Sequence, residues 1–469
     1  MNNILKSGLI WSTIEVLIKR TSDFVVKMIL ARLLFPEDFG IIGMATVFIS
    51  FIQVLNDGGM GLAIVQKKVI LKKDLNTVFW TNVFWSLSLF LFLSFVAAPL
   101  AASFYSQPIL IKIIPVLSLS ILTRSLNTVH MAQLKREMSF KKITFVNNTS
   151  SIISGTIAII LAFLNFGIWA LVANTVLAYV ITIPLFYNAT KWVPSLQWDK
   201  SSFKEILSFG VYTTGSNVIL NLVGNADYLL IGKWFGSSAT GAYTLAFMMT
   251  NLVSAQITMM LDRVMFPFYS SIQDDIEKLK RYYLKVIGFY VLLLYPIMLT
   301  LFFFSDILVP LFFGDKWGET IIPLKLLALA VMIKVLTSGY NLLFRSIGQP
   351  KYEFKIQKIT SLFIYLPCLS IGIYNFGIIG AAVGVLLSTI ITFFVNQYVL
   401  SKYFKIKMGQ VFKEIYKVIY LCVSLAILVF TLRFFKINEF FIFGFYLLLF
   451  GISYFVLFKV IIIKILNKK

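Results

Sequence analysis

Apolar runs of about twenty residues, each long enough to cross roughly 30 Å of hydrocarbon, recur from one end of the chain to the other. Fourteen are recognised, near 9–32, 39–62, 76–100, 109–130, 143–164, 167–190, 205–231, 241–267, 284–305, 320–344, 357–375, 378–400, 414–434 and 438–462. Hydrocarbon holds no water for backbone N–H and C=O groups, so a spanning segment must satisfy them internally, and runs of this length do so as helices. The expected fold is therefore all-α and polytopic, with about 14 transmembrane helices. Nothing between the runs is long enough to fold as a separate soluble domain. Of 469 residues 59% are hydrophobic and 13% charged, about half the charge of an ordinary soluble chain.

Lysine and arginine set the orientation, because basic residues near span ends stay on the cytoplasmic side. Alternate connections carry QKKVILKKD (66–74), QLKREMSFKK (133–142), KWVPSLQWDKSSFK (191–204), DDIEKLKRYYLK (274–285), RSIGQPKYEFKIQK (345–358) and SKYFKIKMGQVFKEIYK (401–417). The intervening ones, such as LLFPED (33–38) and NFG at 165–167 and 375–377, are short and poor in base. Both termini are thus expected in the cytoplasm. The first run lacks a small-residue cleavage site and is expected to be retained. Loops of this kind account for most of the net charge of +22, so it records topology and contact with anionic lipid headgroups; no nucleic acid is implied. Cys368 and Cys422 fall in predicted spans and suggest neither a disulfide framework nor a metal site.

The chain repeats itself. LNFGIWALVANTVLAYVITIPLFY (164–187) resembles YNFGIIGAAVGVLLSTIITFFVNQY (374–398), and, more loosely, ARLLFPEDFGIIGMATVFI (31–49) resembles GKWFGSSATGAYTLAFMMT (232–250). An offset of roughly 200 to 210 residues contains six spans, an even number, so both halves enter the membrane in the same sense, as in transporters with parallel repeats. The expected organisation is a six-helix lobe over 1–190, a cytoplasmic linker at 191–204, a second six-helix lobe over 205–402, and appended helices 13 and 14 over 403–469.

Span 1 is unusual in carrying Glu15, Lys19, Asp23 and Lys27 at four-residue intervals, with Arg20 beside them. One helix face is charged while Leu17, Ile18, Phe24, Val25, Met28 and Ile29 fill the other. A charge at mid-span costs about 2.5 to 3.5 kcal/mol on the insertion scale, so this face must meet protein or water. Two uses are compatible: i,i+4 pairing of Glu15 with Lys19 and of Asp23 with Lys27, and lining a polar cavity. Span 7 carries a second stripe, Asn217, Asn221 and Asn225 followed by Asp227, at a position equivalent under the repeat; it suits either the cavity or hydrogen bonds between helices.

Arg124, Asp262, Arg263, Lys325, Lys334 and Asp57 complete the intramembrane charges. Bases outnumber acids seven to five, a balance suited to an anionic ligand. Asp57, in NDGGMG (56–61), reads as a helix break, Lys325 as a span end, and the lone His130 as structural. Glu15, Asp23, Asp227 and Asp262 are candidates for pairing or ion coupling.

Catalytic constellations are missing: no phosphate loop, no HExxH and no clustered metal ligands occur. Glu37 and Asp38 follow Pro36 in a short connection and read as a helix start, with Pro in the first turn and acids at the N-terminus. A non-enzymatic protein without metal or cofactor is expected.

The segment LARLLFPEDFGIIGMATVFISFIQVLNDGGMGLAIVQKK (30–68), together with the charged first span, the fourteen runs and the six-plus-six repeat, resembles the Wzx-type polysaccharide flippases of the multidrug/oligosaccharidyl-lipid/polysaccharide exporter superfamily. The pattern between 30 and 68 is the most specific part, with GLAIVQ (61–66) replacing a longer family form. The resemblance implies a MATE-like fold. It also implies movement of a polyprenyl-diphosphate-linked oligosaccharide to the outer leaflet of a bacterial cytoplasmic membrane by alternating access, with a polysaccharide polymerase or export machinery as partner. On that reading Arg20 leads as diphosphate contact, since guanidinium forks match phosphate oxygens, followed by Lys19, Lys27, Arg124 and Arg263; Asn217, Asn221 and Asn225 suit sugar hydroxyls. The alternative is a cation-coupled multidrug exporter of the same superfamily. Against it stand the extra helix pair and the excess of bases.

Overall fold

The computed structural model describes residues 2–56, 60–67, 69–203, 221 and 223–466. The described chain is all-α. Ten of its helices are long and apolar enough to cross a membrane, so the protein is a multi-pass membrane protein. Ten is fewer than the fourteen runs expected, for identifiable reasons. Pro350–Phe404 contains two of them, the predicted run at 205–231 falls largely on 204–220, outside the described residues, the first helix is set apart by its charges, and the last run counts only as a shorter apolar helix, Glu439–Tyr454. Asp57 also lies outside the described residues. The chain divides into two compact units, Met1–Gly241 and Ala242–Lys469.

In the first unit the helices are α1 (Asn2–Leu33), α2 (Pro36–Asn56), α3 (Met60–Gln66), α4 (Lys72–Phe92), α5 (Ala98–Tyr105), α6 (Leu110–Arg136), α7 (Phe140–Phe163), α8 (Ile168–Val180) and α9 (Thr182–Thr190). A single π turn, Leu93–Ala97, joins α4 to α5. At the start of α2, Pro36 takes the first turn and the Asp38 carboxylate accepts the Phe35 N–H at 3.1 Å, the cap expected from PED. The apolar core gathers on α6, where Leu110, Ile113, Ile114, Leu117 and Ile121 are fully buried against Met44, Ile49, Leu93 and Val172.

The second unit takes most of α10 (Ala226–Ser271), which turns a corner at Gly236, and then α11 (Ile276–Phe313), α12 (Ile321–Val335), α13 (Tyr340–Ser346), α14 (Pro350–Ile359), α15 (Leu366–Phe404), α16 (Met408–Phe434) and α17 (Glu439–Leu466). Its most buried element is α11, kinked at Phe304. There the Arg433 guanidinium donates to the Phe303 carbonyl oxygen at 2.8 Å, and Phe304 packs on Phe443 and Tyr446 with ring centroids 4.9 and 5.0 Å apart, fastening the last two helices to α11.

The two Asn-Phe-Gly sequences make the same corner. Gly167 opens α8 at φ 55°, ψ −132°, and Gly377 divides α15 at φ 59°, ψ −137°. Large apolar side chains such as Phe95, Phe145, Phe376 and Tyr420 project outward, the surface that lipid solvates.

Candidate functional site

On α1 the expected Glu15–Lys19 and Asp23–Lys27 pairs do not close as direct ion pairs among the described residues. Asn147 Nδ2 donates to Glu15 Oε1 at 2.6 Å and Ser151 Oγ donates to Asp23 Oδ1 at 2.8 Å, so both acids are held by α7. Thr144 Oγ1 donates to the Trp11 carbonyl at 3.0 Å, and Gly155 lets Val26 press close to the α7 backbone. These contacts advance together along both helices, so α1 and α7 run parallel, as spans with three crossings between them must. Partners from a packed neighbour outcompete i,i+4 pairs worth only a few tenths of a kcal/mol, about 0.2 to 0.5. Lys19, Arg20 and Lys27 are consequently left exposed.

Span 7 gives a partial answer. Asn217 lies outside the described residues. Asn225 Nδ2 donates to the Asn221 carbonyl oxygen at 2.8 Å, and Asn221 Oδ1 accepts from Ser50 on α2 at 3.3 Å, so these amides bond to each other and to a neighbouring helix. Asp227 is fully buried and accepts the Tyr228 N–H at 3.0 Å. Arg124 is half-buried on α6. His130 is fully buried, hydrogen-bonded through Nδ1 to Thr190 at 2.7 Å and packed on Tyr187, a structural position. Lys325 pairs with Asp306 at 2.6 Å.

The second unit contains a cavity of ≈600 Å³. One face of α10 contributes Asn251, Ser254, Thr258, Asp262 and Arg263, while Lys334 and Arg345 enter from α12 and α13. Asn251, Ser254, Thr258 and Asp262 recur at i, i+3, i+7 and i+11, which puts these four on one stripe, with Arg263 next to its end. Asp262 accepts from the Tyr290 hydroxyl at 3.0 Å. Arg345 is held by Glu353 through two bonds, Nε to Oε2 at 2.7 Å and Nη2 to Oε1 at 2.6 Å. The cavity walls thus carry three bases and one acid, with amide and hydroxyl groups between them. Arg345 was not foreseen: its basic surroundings read as a cytoplasmic loop, and the inward turn comes from α13, a seven-residue helix that no hydropathy window resolves.

A second unforeseen feature is the path of the chain after α9. Asn76 exchanges two hydrogen bonds with Ser195, Nδ2 to Oγ at 2.6 Å and Oδ1 from the backbone N–H at 3.0 Å. Trp80 Nε1 donates to the Ser195 carbonyl at 2.8 Å, Trp198 Nε1 to Thr81 at 3.2 Å, and Ser202 Oγ to the buried Asp74 at 2.6 Å. Residues 192–202 are thereby strapped along the first three turns of α4. Among the described residues no group of His, Cys, Asp and Glu is arranged to hold a metal ion.

A family model described as "Polysaccharide biosynthesis protein" matches residues 29–323. The chain belongs to that family. Relatives include the lipopolysaccharide biosynthesis protein WzxC of Escherichia coli (strain K12), 27% identical over 403 residues with 84% of this chain and 80% of the relative covered. The teichuronic acid biosynthesis protein TuaB of Bacillus subtilis (strain 168) is 23% identical, with 91% and 88% covered. Among solved structures, the lipid II flippase MurJ in an inward closed conformation superposes with a TM-score of 0.76 over 98% of this chain and 99% of its own, at 17% identity. An inward-facing multidrug resistance MATE family transporter of the MOP superfamily gives 0.65 over 83% and 98%, also at 17% identity. These likenesses establish the fold, which is that of the MurJ and MATE proteins.

Proposed function

We propose that the protein is a flippase that carries a polyprenyl-diphosphate-linked oligosaccharide from the cytoplasmic to the outer leaflet of a bacterial cytoplasmic membrane, for surface polysaccharide export. The observation that carries this reading is the cavity in the second unit, where hydroxyl and amide groups of α10 share walls with Arg263, Lys334 and Arg345 inside helices of membrane length. Neither a diphosphate nor a glycan crosses hydrocarbon unaided, and a wet cavity with cationic walls accepts both while the polyprenyl tail stays in lipid. Relatives named for lipopolysaccharide and teichuronic acid biosynthesis support the choice of cargo.

In the same reading Arg20 meets the diphosphate from α1, with Lys19, Lys27, Arg124 and Arg263 adding positive potential. Two six-helix lobes, 1–190 and 205–402, alternate access about the linker 191–204; the helices over 403–469 are appended, and both termini are cytoplasmic. The protein performs no covalent chemistry and hands its cargo to a polymerase or export complex. A drug exporter of the same fold has no need of such an excess of bases.

Purified protein in liposomes tests the proposal. A lipid-linked oligosaccharide should move between leaflets with its mass unchanged. Failure to move it, or chain extension or diphosphate release by the protein alone, overturns the reading.

A further inference from the structure

The strap over 192–202 covers one particular side of α4. Its hydrogen bonds reach Asn76, Thr77, Trp80 and Thr81. At about 100° per residue these positions share a flank of the helix with Phe84, Trp85, Leu91 and Phe92, the large apolar side chains that α4 turns outward. The strap therefore lies at the foot of a lipid-facing stripe, at the end of the helix, where acyl chains give way to headgroups. Asn76 and Thr77 are buried under it.

What the strap itself turns outward is apolar. Leu196 is 90% exposed, Val193 72% and Trp198 54%. Lys191 and Lys200 flank these three in the chain and Lys72 opens α4 beside them, all exposed, while Lys73 reaches Asp199 at 3.6 Å. Single apolar side chains on a surface are ordinary, but a cluster with bases at its rim marks an interaction site. Here the cluster continues the surface that α4 already presents to lipid, and the bases are complementary to anionic headgroups. In the interface apolar tips enter the acyl boundary, indole rings sit at headgroup level and ammonium groups meet phosphate. We propose that residues 192–202 form a membrane-surface anchor: Val193, Leu196 and Trp198 enter the edge of the acyl layer, and Lys72, Lys191 and Lys200 bind anionic phospholipid headgroups. The strap is then held on two sides, to α4 by hydrogen bonds and to the bilayer by insertion, whatever cargo the protein carries.

The full chain, with Cys368→Ala and Cys422→Ala, is given a bimane label at Leu196→Cys and placed in liposomes of phosphatidylcholine, alone or mixed with phosphatidylglycerol. A doxyl group fixed at the top of a lipid acyl chain should remove most of the emission of this label, and aqueous iodide little of it. At Glu137→Cys, an exposed position in another basic connection, the order should reverse. Adding phosphatidylglycerol should strengthen the doxyl quenching at position 196, and Lys72→Gln, Lys191→Gln and Lys200→Gln combined should abolish that increment. If Leu196→Cys does not accumulate, Val193→Cys reads the same depth. Strong iodide quenching with little doxyl quenching at these positions would overturn the anchor and leave the patch to a soluble partner. Equal doxyl quenching in the two lipid mixtures, or an increment that survives loss of the three lysines, would overturn their assignment to anionic headgroups.

Discussion

Gly40 and Gly241 meet in a contact that is symmetric in the repeat. A β-carbon on Gly40 would collide with the Ser237 carbonyl oxygen, and one on Gly241 would collide with the Pro36 carbonyl oxygen. Gly40 and Gly241, like Pro36 and Ser237, stand 201 residues apart. Each half of the contact is the other with the numbers exchanged, the signature of an isologous pairing about a local two-fold axis. The offset read from ARLLFPEDFG and GKWFGSSATG thus corresponds to a physical symmetry of this crossing.

A methyl group at either glycine should therefore force the crossing apart. Gly40→Ala and Gly241→Ala are each expected to lower stability by about 1 to 3 kcal/mol, the usual cost of overpacking. Because both relieve the same contact, the double variant should cost less than the two single effects together. Thermal unfolding in detergent measures this; additive losses would show that the glycines act independently.

On α1 the structure separates acids from bases. Glu15 and Asp23 are anchored to Asn147 and Ser151, leaving Lys19, Arg20 and Lys27 exposed. Arg20→Ala should abolish transport of a lipid-linked oligosaccharide while protein amount and topology stay normal, and Arg20→Lys should keep part of it. Asn147→Ala should instead cost stability, about 1.5 to 3 kcal/mol for a hydrogen bond to a charged group. Transport per folded molecule distinguishes the two. If Arg20→Ala fails only through poor accumulation, the charges of α1 serve packing.

What the sequence made legible follows from the range of the forces involved. Helices show in hydropathy because each run must satisfy its own backbone, and the Asn-Phe-Gly corners show because a glycine there is required locally. The charged face of α1 was also visible, but its partners were not: Asn147 and Ser151 lie more than 120 residues away in NNTSS, a segment that reads as an ordinary polar patch within span 5. Local spacing favoured Glu15 with Lys19, and tertiary packing overrode it. Arg345 was hidden for the same reason, since basic residues in a loop mark topology on average but do not reveal which one turns inward. The 192–202 strap carries no periodicity, and its tryptophans and serines acquire meaning only beside the first turns of α4.

The strap makes a pH prediction. Asp199 accepts from the Ser201 hydroxyl and from the backbone N–H and hydroxyl of Ser202, bonds to the ionised carboxylate that hold it well below the usual carboxylate range, with Lys73 3.6 Å away adding to the effect. A depressed folded value means that the stabilisation is complete above the unfolded carboxylate value of about 3.9 and fades as pH falls towards the folded one. A spin label at the exposed Val193 should report an unchanged, docked segment from pH 8 to about 5, loosening only below about 4. In Asp199→Asn the label should be more mobile throughout and lose that acid dependence. Loosening between pH 7 and 5 would contradict the assignment.

The two Asn-Phe-Gly corners supply the most direct test of the repeat. Gly167 and Gly377 differ by only a few degrees in φ and ψ, and both occupy positive φ with strongly negative ψ, a region closed to side-chain-bearing residues. Nothing lies within 4 Å of a β-carbon placed on Gly167, so Gly167→Ala isolates backbone strain from crowding. It should cost about 1 to 3 kcal/mol. If the repeats are built alike, Gly377→Ala should cost at least as much, with any excess coming from the tight helix pairing just beyond it, where Gly372 faces Gly380 and Gly384 faces Cys368. Chemical denaturation of both variants in detergent provides the comparison. A neutral Gly167→Ala would mean that the corner relaxes without its glycine, and the shared motif would then be a coincidence of sequence and no longer a structural requirement.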